Sequence, residues 1–361
     1  LFANWPAMLA IWLVAGFAAA SQPSWSTTGS MASARQNHIS SRLSNGFVLV
    51  AGGHPGNLVA TASAEVFNPA TKAWSTVSPM ASPRRSFSAC TLTNGKVLVA
   101  GGHDGGFTTL ASAELFDPST GRWTATGSLA TPREDYAMTC LSDGRVLVSG
   151  GTNITGFLSS SEVYDPNAGT WSGAGSMPFS VHTHRGVQLS DGRVLVMGGN
   201  NAAGPVNTAA LWNPSTNAWA STRSMAHARA WFAASLLNDG TVIVAGGLPT
   251  ASMATSEIYN PASGTWAAAA NLNTGRYSIA GAVLGMSPMV TGGSNGSTFL
   301  ASSELYDTIH RSWTQTTMPT PCADHAAVAL DGSTALVTGG STGSSATAVT
   351  QRFTGRAVRV P

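Results

Sequence analysis

Short runs of aliphatic side chains recur along this chain with no polar residue at alternate positions, as in Val97-Leu98-Val99 and Val146-Leu147-Val148. Such a run, too short for a helix and rich in β-branched residues, predicts a strand that is apolar on both faces. A pair of glycines closes each one. The pairs stand at Gly52-Gly53, Gly101-Gly102, Gly150-Gly151, Gly198-Gly199, Gly246-Gly247, Gly292-Gly293 and Gly339-Gly340, at steps of 49, 49, 48, 48, 46 and 47 residues. Seven tryptophans keep the same step: Trp25, Trp74, Trp123, Trp171, Trp219, Trp266 and Trp313.

One unit is therefore repeated seven times, and its polar positions show how it is built. Before each aliphatic run a first strand, such as Ser86 to Leu92, leads into Asn-Gly or Asp-Gly, with Leu284-Gly285 as the one weak copy. These pairs predict two-residue hairpin turns with positive φ at both central positions. After the Gly-Gly and a variable loop comes a third strand, such as Ser63 to Phe67, and then a turn of the type Asn68-Pro69-Ala70-Thr71. An Asx side chain caps that turn and proline presets φ at the next position. The tryptophan follows six residues after the Asx, on a fourth strand.

Each unit thus forms a four-stranded antiparallel sheet, and a period near fifty marks a propeller array. Trp25 precedes every Gly-Gly, whereas the last third strand, near Gln351-Arg352-Phe353, has no tryptophan after it. One blade is split between the two ends of the chain, and the Trp25 segment is expected to close the ring and remove its free edge. The fold class is all-β, a seven-bladed propeller over residues 21–361.

The paired glycines, the Glu-aromatic-Asx-Pro strand end and the Trp six residues on resemble the kelch-repeat family over essentially the whole chain after residue 24. The resemblance implies the same seven-bladed architecture. The fourth unit departs from the pattern, with Ala210 and Trp212 in place of Glu and Tyr or Phe.

Composition adds limits on partners. Only 9% of residues are charged and the formal net charge is +2, so there is no cationic field to recruit nucleic acid or an anionic membrane surface. Residues 7 to 20 are apolar throughout and end in Ala18-Ala19-Ala20. This is expected of an export signal, with a retained hydrophobic helix and a core segment as the other readings of residues 1–20. The protein is accordingly expected to be secreted or on the cell surface. Three cysteines, Cys90, Cys140 and Cys322, do not make a complete disulfide set. Asn153 and Asn295 open acceptor sequons on variable loops and are candidate glycosylation sites.

Candidate chemistry rests on one repeated position. Arg35, Arg84, Arg133, Arg229 and Arg276 each follow a Met or Leu by four residues at the start of a first strand, and Val181 and Cys322 take the place in the other two units. First strands lie nearest a propeller's axis, so five guanidiniums are expected to ring one mouth of the channel, unless each is consumed by backbone carbonyls of its own or the neighbouring blade. In a kelch adaptor that captures an acidic degron, arginines at this position hold the peptide. The resemblance implies an acidic peptide or protein, or an anionic glycan, as the partner here.

Other polar positions carry weaker signals. His38, His184 and His325 belong to a mixed aromatic belt expected to pack between blades. His38 with His325 and Asp324, and His54 with His103 and Asp104, are faint metal candidates. Glu65, Glu114, Glu162, Glu257 and Glu304 occupy one strand position in separate blades and are expected to be structural acceptors rather than a convergent catalytic set.

The copper-radical oxidases of galactose-oxidase type are also seven-bladed kelch propellers. They require a Tyr followed directly by His, and none of the five tyrosines here is. The expectation is an exported binding module without catalysis, metal or cofactor. The first alternative is a self-assembling extracellular structural protein joined or membrane-anchored through residues 1–20; the second is a metal-dependent, oxidase-like enzyme.

Overall fold

A computed structural model describes residues 22–106, 108–250, 253–343 and 345–355. The expected export segment, residues 1–20, lies outside them. Seven four-stranded antiparallel sheets are arranged around one axis. Blade 1 runs outward through Ile39–Arg42, Val48–Ala51, Ala64–Asn68 and Ala73–Val77. Blades 2 to 6 repeat that order from first strands Ser88–Thr91, Ala137–Cys140, Arg185–Gln188, Ala233–Leu236 and Ala280–Leu284. Each first strand touches those of its two neighbours, which places all seven around the channel.

Blade 7 is the split one. Ala326–Ala329, Thr334–Thr338 and Thr350–Thr354 come from the end of the chain, and Ser24–Thr27 supplies the outermost strand, with Trp25 opposite Phe353.

The second strands are apolar on both faces because each is sandwiched between two other blades. Leu49 and Ala51 of blade 1 pack with Val97, Val99 and Phe116 of blade 2. Val48 and Val50, pointing the other way, pack with Leu336 of blade 7. Alternation along a strand here selects which neighbour a side chain meets, and water is absent from both sides.

The Gly-Gly pair is the seam between blades. Gly52 and Gly53 have φ of 68° and 84°. A Cβ on Gly52 would lie 2.5 Å from the Arg84 carbonyl oxygen of blade 2, and one on Gly53 would lie 2.5 Å from that of Gln36. That approach lets Gly53 N–H donate to Arg84 C=O at 2.9 Å, and all seven blades repeat the bond. A second seam runs along the rim. Trp74 Nε1 donates to Gly29 C=O of the preceding blade at 2.7 Å, while its indole packs 5.1 Å from Phe67.

The inner hairpins differ from expectation in their turn geometry. In blade 1 Gly46 N–H donates to Leu43 C=O, and Gly46 alone has positive φ, while the Asn45 carboxamide accepts from Phe47 N–H. This is a type I turn followed by a left-handed glycine, in which Asn stands where it can cap the backbone. A disulfide joins Cys90 and Cys140, tying the first strands of blades 2 and 3. Cys322 is free and buried, its thiol pushed up to about 12 by burial.

Candidate functional site at the channel mouth

The five repeated arginines are not on a rim. Arg35, Arg84, Arg133, Arg229 and Arg276 are each 0% exposed, so they lie inside their blades and not around the open mouth where they were expected. Arg35 shows where its charge goes. Nη1 donates to the carbonyls of Gly52 and Ser63, and Nη2 donates to Ser63 Oγ and, at 2.8 Å, to Glu65 Oε1. Glu65 in turn accepts from the N–H groups of Ala32 and Ser33, fixing the loop that enters the blade. Arg84–Glu114, Arg133–Glu162, Arg229–Glu257 and Arg276–Glu304 repeat the pair at 2.7–3.0 Å.

Burial draws the Arg35, Arg133, Arg229 and Arg276 guanidiniums below their usual range, and the paired carboxylate pulls each back. The glutamates are the structural acceptors expected of them. A signal in the sequence points to the pairing. The two blades without the arginine, at Val181 and Cys322, also lack the glutamate, with Ala210 and Gln351 in its place. Gln351 uses its amide on both backbone groups of Thr320.

Two residues beyond each arginine position lies a ring that sequence reasoning missed. Asn37, Ser86, Asp135, Thr183, Trp231, Ser278 and Asp324 all have φ between 51° and 54°. Each donates its N–H to the carbonyl of its counterpart in the preceding blade at 2.7–3.4 Å, so seven hydrogen bonds close on themselves around the channel. Asn, Asp and Ser tolerate this left-handed conformation, whereas Thr183 and Trp231 are strained in it, at about 1–3 kcal/mol each. The signal available was a registered column of small polar residues broken by one Trp.

The ring opens onto a cavity of about 200 Å³ that also takes in Arg185, Tyr136 and Ile279. Arg185 begins the first strand of blade 4, where the other six blades have Ile39, Ser88, Ala137, Ala233, Ala280 and Ala326. Its Nε donates to Phe232 C=O at 2.8 Å, and its terminal nitrogens have no hydrogen bond to any described residue. Burial lowers the guanidinium's pKa and Asp135 raises it. Asp324 is held above the usual carboxyl range by burial, with a Ser278 hydrogen bond opposing and the Asp135 charge adding to the shift.

Outside the ring, Phe157 stacks on His182 at 5.1 Å and His182 meets Trp231 edge-on at 6.1 Å. Glu134 sits beside Asp135, its carboxyl pushed up to about 7 by burial and then by that neighbour.

The remaining candidates fall elsewhere. Nε2 of His38, His184 and His325 bonds Thr338, Ser149 and Thr291 of the preceding blade, which is the interblade role expected. Burial holds His184 at about 3 and His325 at about 4, so both are neutral. His54 and His103 use Nδ1 to accept from Gly56 and Gly105 N–H. Among the described residues no three His, Cys, Asp or Glu side chains converge as a ligand set. Asn153 donates its side-chain N–H to Pro132 C=O at 3.0 Å, whereas Asn295 is exposed and accepts from Ser297 and Thr298 N–H.

Sequence comparison agrees with this geometry. Residues 41–247, more than half of the chain, match the KLHDC2/KLHL20/DRC7 Kelch-repeats domain. The chain belongs to the kelch-repeat family. No curated protein matches the kelch chain in sequence.

Among solved structures it is similar to a "novel fungal alcohol oxidase with catalytic diversity among the AA5 family, in complex with copper". That match has 17% identity and a TM-score of 0.75, covering 93% of this chain and 77% of the other. It is similar also to YjhT, at 15% identity and a TM-score of 0.63, covering 80% and 99%. At these identities the likeness is one of fold.

Proposed function

We propose that this kelch propeller is an exported, non-catalytic binding module that takes an acidic group of its ligand, on a peptide or a glycan, into the channel mouth. The observation that carries the reading is Arg185. The repeated arginines are neutralised inside their blades, while Arg185 holds one anchoring bond and turns its remaining donors toward an open cavity. A guanidinium so placed suits a carboxylate. Two strained ring residues at the same mouth support the reading, because strain of this kind collects at ligand sites. The Cys90–Cys140 bridge and the apolar residues 7 to 20 support export, since disulfides persist in oxidising compartments.

The test is titration of acidic peptides and uronate oligosaccharides against wild type, Arg185→Gln and Trp231→Ala, with thermal melts to confirm folding. Affinity is expected to fall at least tenfold in Arg185→Gln and to weaken with salt. Binding that survives both substitutions overturns the site. Stoichiometric copper in the purified protein together with alcohol oxidation overturns the non-catalytic reading.

A further inference from the structure

We infer that the ligand of this mouth is a zwitterion the size of an apolar α-amino acid, with its carboxylate on Arg185 and its ammonium facing Asp135 and Asp324. The inference rests on the channel mouth being the binding site and adds the second charge. Three charged groups line the cavity, Arg185 against Asp135 and Asp324. His38 and His325 also line it and are neutral, because burial lowers both. With both aspartates ionised the lining carries one negative charge more than positive, so a carboxylate alone answers Arg185 and leaves the aspartates unpaired. An amine alone would leave the Arg185 terminal nitrogens unanswered. A ligand with one charge of each sign matches both, and desolvated charges without partners are what such sites discriminate against.

The backbone of the ring does not change this balance, since its N–H and C=O groups are used on one another. Asp135 is available for an ammonium, its carboxylate standing 3.9 Å from His182 Nδ1, beyond hydrogen-bond reach.

Size and wall chemistry supply the rest of the ligand. The mouth cavity of about 200 Å³ continues into a channel space of about 580 Å³, and both touch Arg185, Ile279 and His325. The channel space is walled on the blade 5, 6 and 7 side by alanines such as Ala233, Ala282 and Ala326. A carboxylate and ammonium held at the ring direct an aliphatic or aromatic side chain along that apolar wall.

The test compares L-leucine with its two halves, 4-methylpentanoate and 3-methylbutylamine, by calorimetric titration of the full chain. L-methionine and L-phenylalanine serve as further probes. Leucine, or one of these two, is expected to bind at least tenfold tighter than either half. Asp324→Asn is expected to weaken leucine and spare the acid, and Arg185→Gln to weaken leucine and spare the amine.

Equal binding of leucine and 4-methylpentanoate overturns the inference, as does failure of all three amino acids to bind, or leucine binding that neither substitution alters. Should an acidic peptide or glycan bind in an Arg185-dependent way while no amino acid does, the mouth remains the site and the zwitterion is wrong.

Discussion

Arg133 has exchanged water for two backbone carbonyls, a serine hydroxyl and a carboxylate, with Glu162 at 3.0 Å. Removing one member of such a pair leaves the other charged and dry. Arg133→Val is expected to cost about 3–5 kcal/mol. The double substitution Arg133→Val with Glu162→Ala, which copies blade 4 into blade 3, is expected to recover most of that loss. Urea denaturation of the two singles and the double measures the coupling, and additive costs would contradict the pairing.

Glu134 offers a pH test. Burial pushes its carboxyl up to about 7 in the fold from an ordinary 4.5, so the native state holds a proton that the unfolded chain releases between those pH values. Stability from this group is present below about pH 4.5 and is lost as pH rises through 7. Glu134→Gln is expected to melt higher than wild type at pH 8 and level with it at pH 4. A higher melting point at pH 4 instead would reverse the assignment.

The strand Ser24–Thr27 closes the ring on little burial of its own. Trp25 rests 5.3 Å from Phe353, and its Nε1 donates to Ser303 Oγ and Thr316 Oγ1 of blade 6, both at 3.0 Å. In the other blades the equivalent tryptophan donates to a backbone carbonyl, as Trp123 does to Ser78. Without the strand, Thr350–Thr354 becomes an open edge with unpaired backbone groups. Deleting residues 22–28 is expected to lower the melting temperature and promote self-association in light scattering. A monomer with unchanged melting would show that blade 7 stands on three strands.

The molecule is held by closed circuits. Two rings of seven backbone hydrogen bonds, one at the Gly-Gly seam and one at the channel mouth, link every blade to the next. A bond in a closed ring cannot be lost at one seam without opening a blade interface, which makes the propeller a rigid frame for its mouth. The Cys90–Cys140 bridge adds a covalent tie at one seam, enclosing a separation of 50 residues. Reduction is expected to lower unfolding free energy by about 2–4 kcal/mol, read as a shift of the urea midpoint with and without reductant. An unchanged midpoint would mean that blades 2 and 3 are tied by packing alone.

Blade number, strand order and the manner of closure were legible in the chain, because each depends on local signals that repeat: an aliphatic run, a Gly-Gly, an Asx-Pro turn, a Trp. The destination of the arginines was half legible. Their loss together with the glutamate at Val181/Ala210 and Cys322/Gln351 betrays the pairing, but strand periodicity alone places Arg35 near the axis without saying which way its side chain turns.

Only the tertiary structure decided that it turns into its own blade, since Glu65 lies 30 residues away and comes within 2.8 Å through the sheet. The mouth was decided the same way. Arg185, Asp135, Trp231 and Asp324 come from blades 4, 3, 5 and 7, and no local pattern joins them; closing the ring brings them around one cavity.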